Sequence, residues 1–261
     1  MISNVNKILI VGSTHGHERI GLRVIEELQK LDIPKGRLDF VVGNPRASEE
    51  NVPFVESDLN RVFPGDSSGT YEEKRAFELS PKIKEADLVI DIHSTNTTDL
   101  SGDSMLIVTK YDDNTRKVID IIKPPKVLVM KYKNENNLIS QAKIGIALEY
   151  GKDTSEAVLG ATLHDISEVL MSCGLITKNS YTTTKNNERT DVFEVYDSYK
   201  KDFNGKLALA SDIQNFHMVT RGTVLGTTDS GEQVLASEDF IPILFGENRY
   251  TEILGFKARK L

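Results

Sequence analysis

Short, wholly apolar runs alternate with longer stretches whose apolar residues recur on one helical face, and no other feature of this chain restricts its fold as much. Lys7-Ile-Leu-Ile-Val11 has the pattern of a buried strand. It passes through Gly12-Ser-Thr-His-Gly-His17 into a segment that sets Gly21, Val24, Ile25, Leu28 and Leu31 on one helical face. A strand is expected at Leu38 to Val42, then a long polar loop to about Thr70, a helix over Glu72 to Lys84 and a strand over Asp87 to Ile92. Further strands are expected at Met105 to Val108, Lys126 to Met130 and Ile144 to Glu149, and a helix at Ala157 to Met171. Strand and helix in alternation imply an α/β fold whose mostly parallel or mixed sheet is covered by helices on both faces.

After about Ile176 the pattern changes. A polar stretch, Thr177 to Arg189, leads into short β-rich runs at Asp191 to Tyr199 and Gly222 to Thr227, and the tail to Ile253 breaks short apolar segments with Gly, Asp and Pro. The expected organisation is a catalytic domain at 1–176 and a small β-rich domain at 177–261. A chain of 261 residues buries enough surface to fold without metal or disulfide staples.

Charge and cysteine content narrow the function. Acidic residues outnumber basic ones by 39 to 32, and a net charge of −7 argues against a nucleic-acid or anionic-membrane surface. Cys173 is the single cysteine, which fits a reducing compartment. The N-terminal apolar run is short and lacks a basic leader, and no stretch of about 18 apolar residues occurs, so a cytoplasmic location is expected.

In a doubly wound sheet, ligands bind beyond the carboxyl ends of the strands. His15 and Glu18 follow the first strand, with Glu18 expected in the first turn of the helix, and His93 closes Leu88-Val-Ile-Asp-Ile-His93. Two imidazoles and a carboxylate are a catalytic zinc set that leaves a fourth position for water. Asp91 shares a strand face with His93, where a carboxylate can orient a metal-binding imidazole. His17 competes with His15 as ligand, and the His-x-x-Glu spacing favours His15. His164 and His217 read as structural. The bland alternatives are that Glu18 only complements a helix dipole, that His93 bonds backbone at a strand end, and that Arg46, Arg61 and Tyr250 lie in solvent.

Five blocks, Gly12-Ser-Thr-His-Gly-His-Glu18, Asn44-Pro-Arg-Ala47, Asp58-Leu-Asn-Arg-Val-Phe63, Asp91-Ile-His-Ser-Thr95 and Leu148-Glu-Tyr-Gly151, follow one another in an order and spacing that resemble the succinylglutamate desuccinylase/aspartoacylase family. These are relatives of the zinc carboxypeptidases. The resemblance covers most of residues 7–151 and resumes near Pro242 to Tyr250. It implies one zinc ion per chain held by His15, Glu18 and His93, with Glu149 as the catalytic carboxylate. It further implies that Arg46 polarises the scissile carbonyl, that Asn60 and Arg61 hold the carboxylate of an amino acid, and that Tyr250 reaches into the site from the second domain. The implied activity is hydrolysis of the amide bond of a small N-acyl amino acid, with no nucleic-acid or membrane partner and with room for a homo-oligomer. The rivals are a zinc carboxypeptidase acting on peptides and a non-catalytic metal-binding or interaction module. The chain departs from the family pattern in its short length, in Gly-His-Glu where Gly-Asn-Glu is usual, and in Tyr150 after Glu149. It also has Ile139 where aspartoacylases carry an arginine that recognises the second carboxylate of their substrate.

Overall fold

The structure is a computed structural model that describes residue 2 and residues 5–95, 104–133, 135–181, 189–203, 205–246 and 252–261. The chain forms two compact units, Met1–Val127 with Lys133–Thr190, and Leu128–Tyr132 with Asp191–Leu261.

In the first unit the elements run β1 (Ile8–Gly12), α1 (Ile20–Leu28), β2 (Leu38–Val42), α2 (Pro45–Glu50), α3 (Tyr71–Glu85), β3 (Leu88–His93), β4 (Met105–Val108), α4 (Asp113–Ile122), the start of β5 (Lys126–Met130), β6 (Ile144–Glu149) and α5 (Glu156–Ser172). Among them the strands β4, β6, β3, β1 and β2 lie side by side in that order. Strand β1 pairs in parallel with β2 and β3, β3 pairs in parallel with β6, and β4 runs antiparallel to β6. The sheet is therefore mixed, with a parallel centre. Every residue of β1 and β3 is buried, as expected for strands covered on both faces. Helix α1 turns Ile20, Val24, Ile25 and Leu28 inward, the apolar face that its sequence shows. Helix α3 starts with a capping box, in which Thr70 and Glu73 satisfy each other's backbone N–H groups.

The expected long polar loop before Thr70 has structure of its own. Asn44 accepts a hydrogen bond from Ala47 N and Pro45 takes the first helical position, which together start the six-residue helix α2. A single tight helical turn follows at Leu59–Arg61, started by Asp58. Leu59 is fully buried in a cluster with Leu9, Val11, Phe63, Leu79 and Leu138. That burial contributes about 1.5–3 kcal/mol and pins the turn while its polar neighbours point elsewhere.

The second unit contains β7 (Asp191–Lys200), β8 (Leu207–Leu209), β9 (Val224–Thr228), β10 (Gln233–Leu235), β11 (Ile241–Ile243) and β12 (Ile253–Lys260), with no helix among its described residues. Strands β11, β12 and β7 are neighbours, and β10, β9 and β8 form a second small sheet. An aromatic cluster of Tyr199, Phe240 and Phe245 fills its interior. The cations of strand β12 meet carboxylates. Lys257 pairs with Asp197 and Glu238, Arg259 with Glu194, and Lys260 with Asp191. No helix among the described residues is long and apolar enough to cross a membrane.

Candidate metal centre

Strands β1, β3 and β6 are parallel neighbours, so Gly12, His93 and Glu149 end them on one edge of the sheet. His93 and Glu149 stand opposite each other in the strand register. The chain leaving β1 is tightly constrained. A side-chain carbon on Gly12 would lie 2.7 Å from the backbone of Gly21, and one on Gly16 would lie 2.1 Å from the carbonyl carbon of Ala47. Only glycine allows these approaches. Ser13 takes a φ of 58°, rare for a side chain other than glycine, and Gly16 N donates to Pro53 O at 3.1 Å.

The sequence placed Glu18 in the first helical turn, but both His15 and Glu18 precede α1. Glu18 N donates to His15 O at 3.0 Å, which closes a turn and carries both side chains to one side. Asp153 takes the capping role instead, its Oδ1 accepting from Ile20 N at 3.0 Å. Glu18 is thereby released from the helix-dipole role that its position in the sequence suggested.

Glu18 bridges the two imidazoles. Its Oε1 lies 3.1 Å from His15 Nδ1 and its Oε2 lies 2.8 Å from His93 Nδ1, with Ser94 N donating to Oε2 at 3.3 Å. Each ring has a second carboxylate on its outer nitrogen. His93 Nε2 is 2.8 Å from Asp91 Oδ2, and His15 Nε2 is 3.2 Å from Asp58 Oδ1. Thr14 Oγ1 donates to the other oxygen of Asp91 at 2.7 Å. The order is therefore Asp91, His93, Glu18, His15, Asp58, with the imidazoles alternating between carboxylates. If each outer N–H is given to its aspartate, both Nδ1 lone pairs face Glu18.

One ligand atom from each of His15, Glu18 and His93 lies within 4.8 Å of the others, so this group could hold a metal ion. The donor set also fits such an ion chemically, because two imidazole nitrogens and a carboxylate oxygen converge and the outer aspartates fix the rings. Burial works against charge on His15, but Asp58 and Glu18 outweigh it and hold the imidazole up to about 9. Burial opposes charge on His93 as well, and the Asp91 and Glu18 carboxylates raise it well above the ordinary histidine value. Burial alone would push the Glu18 carboxyl up, yet the two imidazoles hold it well below the ordinary range.

Glu149 keeps a little contact with solvent at the end of β6. Burial pushes its carboxyl up to about 7; Glu18 and Asp91 add to the rise, and the two imidazoles oppose it. The substrate-binding residues of the sequence reading are placed less uniformly. Asn60 Oδ1 accepts from Leu138 N at 2.9 Å, and Arg61 Nη1 donates to Asn60 O at 2.8 Å from an exposed position. The Arg46 guanidinium lies on the surface, with Nε 2.9 Å from Glu50 Oε1 and its carbon 5.6 Å from the Tyr71 ring centre, and not among the metal-ligand group. Tyr250 lies outside the described residues. His17 has a buried Nδ1 without a hydrogen-bond partner among the described residues, and its ring centre is 6.4 Å from that of His15. His164 faces Asp165 at 3.3 Å, and His217 faces the carbonyl of Asn215 at 3.0 Å.

Three members of this neighbourhood had no role in the sequence reading: Asp58 on His15, Thr14 on Asp91, and Glu72 behind the Asp58 turn. Asp58 was in view, as the first residue of Asp58-Leu-Asn-Arg61. Nothing in spacing, however, ties it to an imidazole 43 residues away.

Comparison with known proteins identifies the family. Residues 4–172 match the model of the succinylglutamate desuccinylase/aspartoacylase catalytic domain. A probable aspartoacylase of Acaryochloris marina is 29% identical over 65% of this chain and 62% of its own length. N-acyl-aromatic-L-amino acid amidohydrolase (carboxylate-forming) B of Danio rerio is 26% identical over 94% of this chain and 89% of its own. Among solved structures, murine aminoacylase 3 shares the fold with a TM-score of 0.74 at 18% identity, covering 98% of this chain and 96% of that one. With the family model spanning the loop of His15 and Glu18, the Asp58 turn, His93 and Glu149, the chain belongs to the succinylglutamate desuccinylase/aspartoacylase family.

Proposed function

We propose that this protein hydrolyses the amide bond of a small N-acyl amino acid, using one zinc ion held by His15, Glu18 and His93. The observation that carries the reading is the alternating chain of Asp91, His93, Glu18, His15 and Asp58, with Glu149 in register beside His93. When bound, zinc supplies a Lewis acid for the scissile carbonyl and brings the acidity of water close to neutral. Glu149, pushed up to about 7, is suited to take a proton from water and return it to the leaving nitrogen. Asn60 and Arg61 are assigned to the substrate α-carboxylate, for which a guanidinium is the best-shaped partner. Arg46 is assigned to the carbonyl oxygen, a role that requires it to exchange Glu50 for substrate. Tyr250 is the remaining catalytic assignment. Residues 1–176 are assigned as the hydrolase domain, 177–261 as the smaller β-rich domain, and the location as cytoplasmic.

Ile139 bears on the acyl amino acid. It is buried in the core with Leu59 and Leu138 and offers no cation to a second substrate carboxylate. N-acyl aspartate and an N-acyl amino acid with an apolar or aromatic side chain are therefore the two substrate classes to compare. The test is to load the protein with zinc and follow release of free amino acid from both substrate classes. Elemental analysis should return about one zinc per chain. Full zinc occupancy in a His15→Ala, His93→Ala double variant would remove the proposed site, and no turnover across the panel would leave only a metal-binding module.

A further inference from the structure

Glu72 is a completely buried carboxylate in the first turn of α3, and its four hydrogen bonds all lead away from its own helix. Oε1 accepts from Val55 N at 2.7 Å and from Asn44 Nδ2 at 3.1 Å, and Oε2 accepts from Glu56 N at 3.1 Å and Ser57 N at 3.0 Å. Four donors fill the acceptor capacity of a carboxylate. Burial alone would push this carboxyl up, but the amides of Val55, Glu56 and Ser57 together with Asn44 outweigh it and hold it below the ordinary glutamate value.

The two pieces of chain that meet on Glu72 both lead into the centre. Ser57 is followed directly by Asp58, the partner of His15, and then by Asn60 and Arg61. Asn44 caps α2, which carries Arg46 and against which Gly16 is packed. The same segment is held a second time from the other side, since Tyr71 N donates to Glu56 Oε2 at 2.9 Å and the hydroxyls of Ser57 and Thr70 are 2.9 Å apart. An acidic residue that served only the α3 dipole would not need three consecutive amides from another segment.

We infer that Glu72 is a positioning residue of this centre, fixing the chain before Asp58 so that it faces His15 and so that Asn60 and Arg61 are presented together. The inference rests on the zinc-hydrolase reading for its consequence, and on hydrogen-bond geometry alone for its cause. A glutamine at this position keeps the shape but brings an NH2 group against donors, so at least two of the four bonds are lost.

The experiment compares the wild type with Glu72→Gln and with Asp112→Ala, which uncaps α4 by removing the acceptor of Asn114 N and Thr115 N. Zinc affinity is read by competition with a chelator, and amide exchange is read across residues 53–61. Glu72→Gln is expected to weaken zinc about 3- to 10-fold, less than direct loss of a ligand's partner. It should also speed exchange at Val55, Glu56 and Ser57 by about tenfold or more. Asp112→Ala should lose a comparable Tm and move neither quantity. Equal zinc affinity and exchange in the two variants would overturn the inference, leaving Glu72 a structural residue. If Glu72→Gln does not fold, Asn44→Ser keeps a capping oxygen for α2 and removes one donor, and it should shift both readouts the same way by a smaller factor. A wild-type chain that takes up no zinc sinks the hydrolase reading. Exchange across 55–61 then still decides whether Glu72 holds this segment: faster exchange supports it and unchanged exchange overturns it.

Discussion

His93 and His15 meet the same carboxylate from two unlike pieces of chain. His93 closes the central strand β3 and is 2% exposed, and its outer partner Asp91 lies two residues back on the same strand face. His15 rides a loop with 21% of its side chain exposed, and its outer partner arrives from a turn 43 residues away. Hydrogen-bonded strands on both sides set the first half of the centre. The second half depends on two loops, one packed at Gly16 and one held by the burial of Leu59 and the hydrogen bonds to Glu72. Two imidazoles with the same chemistry therefore differ in what keeps them in place, and perturbation should separate them.

The largest expected effect lies on the strand side. Glu149→Gln should keep about one zinc per chain and lower kcat by about 10²- to 10⁴-fold, the contribution of a positioned acid/base. Loss of the metal in this variant would make Glu149 a ligand and break the division of roles. The outer carboxylates sharpen the comparison next. Removing such partners costs about 10- to 100-fold in metal affinity, and Asp91→Asn should fall near the upper figure because its single amide oxygen cannot accept from both His93 Nε2 and the Thr14 hydroxyl. Asp58→Asn should fall near the lower one. Equal losses by chelator competition would mean that loop and strand hold their histidines equally well.

The pH dependence provides a smaller, graded test. His15 is raised from 6.5 to about 9 in the metal-free fold. Its protonated form therefore adds stability that is fully present below pH 6.5 and lost as pH rises through about 9. Zinc must displace that proton and the one on His93, whose imidazole is also raised, so its affinity should climb by up to about tenfold per pH unit for each of them across the same window. A flat affinity between pH 6.5 and 9 would show that His15 holds no such proton. The smallest expected effect is that of Arg61→Ala, which should raise KM for substrates with a free α-carboxylate by several-fold and leave kcat nearly unchanged, since the contact is made in ground and transition states alike. A collapsed kcat with constant KM would move Arg61 from holding substrate to chemistry.

The same contrast explains what could be read from the sequence. Strands β1, β3 and β6 are mostly apolar runs, and Asp91 with His93 shares a face by strand periodicity, so that half was legible. The helix α2 was not found, because six residues carry no periodicity; its signal was the cap and proline of Asn44-Pro45. The Asp58 contact and the four bonds to Glu72 were invisible because they join residues far apart in sequence. Glu72 reads as one more acid in a helical first turn. Strand β12 was obscured for a similar reason: its cations look solvated until the acids of β7 lie across from them.

The pairing of His93 with Glu149 across β3 and β6 turns backbone register into a ruler. Adjacent strands lie about 4.8 Å apart, a spacing fixed by peptide geometry and independent of side chain. The interval between His93 and Glu149, the metal ligand and the proton-handling carboxylate of the proposed reaction, is thus quantised, and it cannot be adjusted by gradual repacking. Inserting or deleting a single residue within Ile144–Glu149 would turn the carboxylate to the opposite face of the sheet. Variation that tunes the reaction has to come from the loops, while this edge of the sheet can change only in whole steps.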